Sequence, residues 1–302
     1  MIGHGSIFLK EQKEKKKMRR IIALLVALVM VLGLTACGGG KGGNDEAAIP
    51  GLEDGVLTVA MECAYAPYNW AQEDDSNGAV PIKDSPLFAN GYDVQMAKAI
   101  CEANGWELEI IQTDWDSLIP GVQSGLYDAT IAGQSMTSER MEVVDFAGPY
   151  LYATIVCLAR NDSRFASAKG LADLAGGSCT SQSGTIWYET CLPQIANAEI
   201  LNPTESAPAM LMAAASNPDI FVCTDRPTAQ GALLAYPELV LLDFAGSGDD
   251  FEVSDEEVNI GIAVQKGNTA LVDAINAYLS TLTADDFNAL MDQAISIQPL
   301  GE

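Results

Sequence analysis

The strongest constraint on the fold is an alternation of apolar runs and amphipathic segments along the first half of the chain. Residues 56–60, 108–111 and 129–132 are short apolar runs bounded by turn residues, a pattern typical of buried strands. Residues 94–101 place their apolar side chains on one helical face, and residues 115–125 form a second helical segment. The order strand, helix, strand, helix, strand predicts βαβ units and a mostly parallel sheet.

The amino-terminal segment does not belong to this pattern. Residues 10–20 are basic, residues 21–32 are apolar, and small residues follow. This order is typical of a secretory signal, and the apolar run is too short for a comfortable membrane span. We therefore expect residues 1–36 to be a signal peptide and the Gly-rich residues 37–53 to be a flexible tether.

The end of the signal carries a candidate lipidation site. Residues 34–37 read Leu-Thr-Ala-Cys, which resembles the bacterial lipobox. In that motif the cysteine, here Cys37, becomes the lipidated first residue of the mature protein. The alternative is an ordinary signal peptide with an incidental cysteine.

Net charge and the position of the histidine exclude several classes of function. Without residues 1–36 the chain keeps 9 basic and 39 acidic side chains, a formal charge of −30. Such a surface repels nucleic acid and favours cationic solutes. The only histidine, His4, lies in the leader, which argues against Ser-His-Asp hydrolases, Cys-His enzymes and most zinc sites. We therefore predict no catalytic residue, no metal site and no cofactor.

Six further cysteines remain in the predicted mature chain. Exported cysteines often pair, but six of them allow 15 connectivities, and a buried thiol also behaves as a small hydrophobic group. No pairing is assigned from the sequence. The six are Cys63, Cys101, Cys157, Cys179, Cys191 and Cys223.

The third apolar run leads into a candidate anion receptor. Gly133 stops the strand, Ser135 offers a hydroxyl in the loop, and Arg140 comes early in the helix that follows. A strand end, free backbone N–H groups and one arginine suit a carboxylate. The alternative is a surface arginine paired with Glu139 or Glu142.

Several motifs of the chain resemble those of one family, the extracytoplasmic solute-binding proteins of amino-acid ABC transporters, family 3. The family pattern D-x-x-x-A-G-x-[ST]-x-T-x-E-R, followed by DFSxPY, matches residues 128–150 closely. Residues 91–100, 115–125 and 258–267 resemble its G-[FY]-D-V-D-L-A-K-A-I, W-D-x-L-I-P-x-L-x-x-G and Y-G-I-A-V-x-K-G segments. Residues 74–89 form a polar insertion that is longer than usual in the family, and we expect a solvated loop there.

The resemblance implies a fold class and a domain organisation. The expected fold is α/β and two-lobed, the type II periplasmic-binding-protein fold, with a mostly parallel sheet flanked by helices in each lobe and a two-strand hinge. Residues 54–150 and 260–302 would form lobe 1, and residues 151–259 would form lobe 2. The 266 residues after the signal are also at the length where single cores tend to split.

The resemblance also implies a ligand site. Arg140 would bind the α-carboxylate of an amino acid with N–H groups of Gly133 and Thr185, while Asp225 and the Ser135 hydroxyl would receive its α-ammonium. The remaining candidates are Tyr65 and Trp115 around the aliphatic stem, and Glu62 and Gln182 near the side chain. Alternatives stay open: Asp225 can be a helix N-cap, and Tyr65 and Trp115 can be core residues.

These residues predict a binding protein rather than an enzyme. The expected function is extracytoplasmic binding of a free L-amino acid by hinge closure and its delivery to ABC permease subunits. Glu62 and the acidic surface favour arginine, lysine or histidine, with glutamine or cystine as the alternative. A sensor lipoprotein and a dehydratase with Glu62 as general acid are further alternatives. We expect a monomer anchored to the outer face of the membrane by lipid, with no nucleic-acid partner.

Overall fold

The structure, a computed structural model, describes residues 49–299 of the chain. The predicted signal peptide, Cys37 and most of the predicted tether lie outside these residues. Within residues 49–299, no helix has both the length and the apolar character needed to cross a bilayer.

The first part of the described chain builds one sheet with its helices and a small additional sheet. Its elements are β1 (Val56–Met61), β2 (Ala64–Tyr65), β3 (Asn69–Gln72), β4 (Val80–Pro81), β5 (Phe88–Asn90), α1 (Tyr92–Asn104), β6 (Glu107–Gln112), α2 (Leu118–Ser124), β7 (Ala129–Thr130), α3 (Ser138–Val143) and β8 (Val144–Tyr152).

The chain then builds a second sheet and returns to the first. The elements of the second part are β9 (Ile155–Arg160), β10 (Ser178–Thr180), β11 (Glu199–Ile200), α4 (Ala207–Ser216), β12 (Ile220–Asp225), α5 (Arg226–Ala235), β13 (Leu239–Leu242) and α6 (Asp255–Val258). The returning elements are β14 (Asn259–Gln265), α7 (Thr269–Leu279) and α8 (Ala284–Ile297).

The two main sheets define two lobes of the same design, as the fold-class prediction stated. The lobe 1 sheet has the order β6-β1-β7-β14-β8, and the lobe 2 sheet has the order β11-β10-β12-β9-β13. In each sheet one strand is antiparallel to the other four, β14 in lobe 1 and β9 in lobe 2.

The antiparallel strand of each lobe is the one that arrives from the other lobe. The parallel strands β1, β7, β10 and β12 all end at the cleft between the lobes. A strand that crosses the cleft enters the new sheet at this same edge, so it must run in the opposite direction. The connectivity therefore explains why each sheet is mixed.

Helix α1 shows how the local sequence sets the packing. Its predicted apolar face is confirmed, because Val94, Ala97, Ile100 and Cys101 are all buried. The helix ends at Gly105, whose left-handed backbone (φ 71°) is the conformation that a glycine C-cap provides.

The polar insertion is not the solvated loop that we expected. Residues 74–89 contain β4 and the start of β5, and they extend β2 and β3 into a four-stranded sheet of order β2-β3-β5-β4. Ile82 is buried and pairs with Ile110 of β6. This contact anchors the insertion to the lobe 1 core.

The final helix packs on lobe 1 and also reaches lobe 2. Phe287, Met291 and Ala294 form its buried face. Just after α8, Gln298 donates from its amide nitrogen to the Gly231 carbonyl of α5 at 2.8 Å. The end of the described chain thus links the lobes in addition to the two crossings, β8 to β9 and α6 to β14.

Candidate functional site

The predicted site residues lie where strands of both lobes end at the cleft. Glu62 follows β1, Gly133 and Ser135 follow β7, and Asp225 is the last residue of β12. The carboxyl ends of parallel strands are the usual position of ligand sites in α/β folds. The residues to be placed are Glu62, Tyr65, Trp115, Gly133, Ser135, Arg140, Gln182, Thr185 and Asp225.

Arg140 joins the lobes at one side of the cleft. Its guanidinium donates to the Ser135 carbonyl at 2.8 Å and, across the cleft, to the Gly184 carbonyl at 2.9 Å. The same group lies 5.4 Å from the ring centroid of Trp115, a cation–π contact. Burial lowers the pKa of Arg140 to about 10, so the side chain stays charged at neutral pH. Neither Glu139 nor Glu142 forms an ion pair with it among residues 49–299.

Thr185 and Gln182 stand beside this contact on the lobe 2 loop. The Thr185 hydroxyl donates to the Gln182 carbonyl at 2.7 Å, which shapes the loop after β10. Gln182 is almost completely buried, and its amide nitrogen has no hydrogen-bond partner within the described chain.

Asp225 forms a second contact between the lobes. One carboxylate oxygen accepts from the Thr228 N–H at 2.8 Å and caps α5. The other accepts from the hydroxyls of Tyr68 at 2.8 Å and Tyr65 at 3.3 Å, both from lobe 1. Burial raises the pKa of Asp225, and these hydrogen bonds oppose that rise. The capping role of Asp225 is present, and the same carboxylate still faces the other lobe.

Gly133 allows the close packing behind this contact. Its φ is +63°, and a Cβ there would lie 2.8 Å from the Tyr65 ring. Its N–H donates to the Tyr150 hydroxyl at 3.1 Å, and that hydroxyl donates to Asp93 at 2.7 Å. The Gly133 N–H that we expected to meet a carboxylate is therefore used within lobe 1 in this structure.

Asp93 is a functional candidate that the sequence reasoning did not single out. It is fully buried and also accepts from the Asn69 amide at 2.8 Å. Burial raises the pKa of Asp93 to about 7. The sequence did contain a signal for it. Asp93 is the acid that follows the aromatic residue in the segment 91–100, which resembles a family motif. Tyr68 was not singled out either, although its hydroxyl donates to Asp225 at 2.8 Å.

Glu62 is set apart from both interlobe contacts. It is 8% exposed, and its Oε2 atom has no hydrogen-bond partner among residues 49–299. Burial is the main cause that raises the pKa of Glu62 to about 7, and the carboxylates of Asp114, Asp116 and Asp93 add to it. A buried polar atom without a partner is unusual in a folded protein. The Oε2 atom of Glu62 can therefore accept a hydrogen bond from a donor group of a ligand.

The structure therefore groups the predicted residues in three places. One group surrounds Arg140 and contains Trp115, Ser135, Gln182 and Thr185. A second group contains Asp225, Tyr65 and Gly133, and Glu62 stands at a third position among acidic neighbours. An open groove of about 550 Å³ leads to the first group, and its lining includes Thr137, Arg140, Gly184, Thr185 and Glu189.

Metal chemistry has no support in the described part of the protein. No group of three or more His, Cys, Asp or Glu side chains among residues 49–299 is arranged to hold a metal ion.

Two curated relatives resemble the chain in sequence. The arginine-binding extracellular protein ArtP of Bacillus subtilis (strain 168) is 29% identical over 172 residues, which cover 57% of this chain and 59% of ArtP. A probable histidine-binding protein of Campylobacter jejuni is 29% identical over 223 residues, which cover 74% of this chain and 80% of the relative. The match to ArtP thus spans less than two thirds of that protein's length.

A solved structure matches the fold. It is an amino acid ABC transporter substrate-binding protein from Streptococcus pneumoniae bound to L-arginine, with a TM-score of 0.69 and 23% identity. The match covers 82% of this chain and 96% of that chain. At this level of identity the likeness shows the shared fold.

The match to a family model covers more of the chain than either of the two sequence relatives does. The model described as bacterial extracellular solute-binding proteins, family 3, matches residues 57–296. This range contains both lobes, both crossings and every predicted cleft residue. The chain therefore belongs to the bacterial extracellular solute-binding proteins of family 3.

Proposed function

We propose that this protein binds an L-amino acid with a cationic side chain, arginine, lysine or histidine, between its lobes and delivers it to an ABC permease. The arginine- and histidine-binding relatives support this class of ligand. The observation that carries the proposal is the excess of buried negative charge around the cleft.

Three carboxyl groups are buried near the cleft, where Arg140 is the one arginine among the proposed site residues. Glu62, Asp93 and Asp225 are buried, and burial raises the pKa of all three. The ion pairs among residues 49–299 lie elsewhere, and none includes these acids. Buried charges are costly unless a partner compensates them. A cationic amino acid carries a net positive charge, so it reduces this excess when it binds.

We propose one role for each cleft residue, and the position of these residues on both sides of the cleft supports the assignment. Arg140 and the Thr185 N–H bind the α-carboxylate, while Asp225 and the Ser135 hydroxyl receive the α-ammonium. Tyr65 and Trp115 pack on the stem of the ligand, and Gly133 provides the space that Tyr65 needs. Because these groups come from both lobes, the ligand stabilises the closed arrangement over an open one.

The side-chain end of the ligand is the most specific part of the proposal. The unpartnered oxygen of Glu62 can accept a charge-assisted hydrogen bond from guanidinium, ammonium or imidazolium. One observation favours glutamine as a second candidate. The unpartnered Gln182 nitrogen is a donor, and a carboxamide could accept from it while donating to Glu62.

A competition panel tests the ligand class. We expect tight binding of at least one of arginine, lysine and histidine to the wild type, measured by calorimetry. Glu62→Gln should lose affinity for that ligand by roughly 30-fold or more, because it removes one partner of a buried charged contact. The control variant Glu107→Gln, at an exposed position of β6, should bind like the wild type.

Two results would contradict the cationic assignment. Glutamine binding that is tighter than any cationic ligand, and that survives Glu62→Gln, would favour the carboxamide candidate. Tight binding of glutamate or aspartate would reverse the assignment, because Glu62 would then face a like charge.

We further propose that the protein is a binder and not an enzyme. The alternative is a dehydratase, and one observation favours it. The pKa of Glu62 is raised to about 7, which suits a general acid at neutral pH. Incubation of each bound compound with the protein, followed by NMR of the mixture, should return the compound unchanged. A new product that Glu62→Gln does not form would establish catalysis.

The location and partners complete the proposal. We propose that Cys37 is lipidated, that the protein is a monomer on the outer face of the membrane, and that its partners are the permease subunits. Cys37→Ala should abolish labelling by a lipid precursor in cells. Equal labelling of wild type and variant would exclude the anchor.

A further inference from the structure

Four buried cysteines lie beneath the lobe 2 half of the cleft, and the proposed function uses none of them. Cys157 is on β9, Cys179 is on β10, Cys223 is on β12, and Cys191 ends the helical segment Trp187–Cys191. All four are fully buried free thiols in the structure. They lie close together, because the Cys223 thiol has the thiols of both Cys157 and Cys191 as neighbours and the Cys179 thiol has that of Cys157.

The strand register places two of these cysteines directly opposite each other. Cys223 of β12 pairs with Cys157 of the antiparallel β9. Three residues further along the same ladder, the Arg226 N–H donates to the Thr154 carbonyl at 2.9 Å, which marks a hydrogen-bonded pair. Such pairs alternate with non-hydrogen-bonded pairs, so Cys223 and Cys157 form a non-hydrogen-bonded pair.

An independent contact agrees with this assignment. In a non-hydrogen-bonded pair, the backbone carbonyl points away from the partner strand. The Cys223 carbonyl accepts from the Ser181 hydroxyl at 2.7 Å, and Ser181 follows β10 on the opposite side of β12 from β9. The backbone of Cys223 is therefore turned to β10.

This kind of pair is suitable for a disulfide. Directly opposite residues point their side chains to the same face of the sheet, and in non-hydrogen-bonded pairs the Cα atoms are about 4.5 Å apart. Disulfides span Cα separations of roughly 4.4–6.8 Å. The family is extracellular, and disulfides form and persist outside the reducing cytosol.

We propose that Cys157 and Cys223 form a disulfide in the exported protein, which covalently joins β9 to β12. In the reaction, one of the two thiolates attacks a disulfide oxidant, such as oxidised glutathione, and releases one thiolate of the oxidant. The second cysteine then attacks the mixed disulfide and releases the other. The two cysteines lose two electrons and two protons, and the oxidant becomes two thiols.

The timing of this reaction follows from burial. Burial holds the pKa of Cys223 well above its ordinary range, and the thiolate is the reactive form. The bond therefore forms while the strands assemble, before the lobe 2 core closes. It then fixes β12 two residues before Asp225, and β9 close to the crossing into lobe 2.

The proposal can be tested on the full chain by refolding. The protein is unfolded in denaturant with reductant and refolded in a mixture of reduced and oxidised glutathione. It is then denatured and alkylated without reductant, and the cysteine-containing peptides are mapped by mass spectrometry. We expect the peptides of Cys157 and Cys223 to escape alkylation and to appear as one cross-linked species, while Cys101, Cys179 and Cys191 are alkylated.

Matched variants separate this bond from adventitious oxidation. Two control variants should keep the cross-link. Cys101→Ala removes a buried cysteine of lobe 1, and Cys191→Ala removes the other cysteine that neighbours Cys223. Cys157→Ala should leave the Cys223 peptide alkylated. If that variant does not refold, the wild-type map alone decides. Full alkylation of wild-type Cys157 and Cys223 after refolding would overturn the proposal, and so would a cross-link between Cys223 and Cys191.

Discussion

At the scale of single residues, Arg140 and Asp225 differ in how much of their hydrogen-bonding capacity the protein itself uses. Arg140 gives two of its five N–H donors to backbone carbonyls within the described chain. Asp225 already accepts three hydrogen bonds. A ligand carboxylate can therefore bind to free donors of Arg140, whereas a ligand ammonium must share Asp225 with the hydroxyls of Tyr65 and Tyr68.

Removal of either charged residue should weaken ligand binding strongly. Loss of one partner of a buried charge pair costs about 2–5 kcal/mol, or roughly 30-fold in affinity and more. We expect this loss for Arg140→Ala and for Asp225→Ala in calorimetry on folded protein. Arg164→Ala changes a lobe 2 arginine outside the proposed site and should bind normally. Near-native affinity of a folded Arg140→Ala would remove that residue from the site.

The pKa of Glu62 predicts that binding of a cationic ligand depends on pH. Only the carboxylate form accepts from the ligand, so affinity should fall as the pH drops below about 7, approaching tenfold per unit. Calorimetry between pH 8 and pH 5.5 measures this slope, and Glu62→Gln should flatten it. A wild type with the same slope as Glu62→Gln would show that Glu62 is not the titrating group.

The same shifts affect the stability of the protein without ligand. Burial raises the pKa of Glu62 from 4.5 to about 7 and that of Asp93 from 3.8 to about 7. At a pH between the ordinary and the raised pKa of each group, the folded state binds more protons than the unfolded state. The contribution of both groups to the free energy of unfolding is therefore largest below pH 4 and is lost as the pH rises to 7.

The site could be predicted only in part from single residues. The motif around Arg140 and the aspartate that ends β12 drew attention to two residues that the structure places in contacts between the lobes, and their predicted roles toward a ligand stay predictions. The sequence did not reveal that the Gly133 N–H is used by Tyr150, because that hydrogen bond depends on how β14 brings β7 and β8 into one sheet. Tyr68 was missed for a similar reason, since the reach of its hydroxyl depends on the distance between the lobes.

At the scale of elements, the turn between β2 and β3 carries the aromatic part of the site. Tyr65 and Tyr68 stack with ring centroids 4.7 Å apart, and both hydroxyls reach Asp225. The stacked rings thus present both hydroxyls to the same carboxylate. The alternation of strands and helices in the first half of the chain predicted the sheet of lobe 1, because its period is local. The small sheet was not predicted, because residues 74–89 look polar and few of them, among them Ile82 and Ala89, are buried.

Tyr68→Phe should destabilise the protein without changing its core. It removes one hydroxyl donor to a buried carboxylate and keeps the ring, and hydrogen bonds to charged groups contribute about 1.5–3 kcal/mol. Denaturant unfolding should show this loss, and the control Tyr278→Phe in α7 should change stability less. Equal stability of Tyr68→Phe and wild type would mean that water replaces the hydroxyl without cost.

At the scale of the whole molecule, the lobes are linked by two crossings and by contacts that a hinge motion would break. These contacts include Arg140 to Gly184, Tyr65 and Tyr68 to Asp225, and Gln298 to Gly231. Small-angle scattering should show a smaller radius of gyration at saturating ligand than without it. An unchanged radius in a sample whose binding is confirmed by calorimetry would argue against hinge closure.

The exchange of strands between the lobes also determines the order in which the protein can fold as it emerges from the export machinery. Lobe 2 draws its whole sheet from a continuous segment, β9 to β13, so this sheet can form once residue 242 is outside. Lobe 1 cannot complete its sheet until β14, which lies between β7 and β8, has emerged. The half of the cleft that carries Arg140 is therefore finished last, on a lobe 2 that is already built.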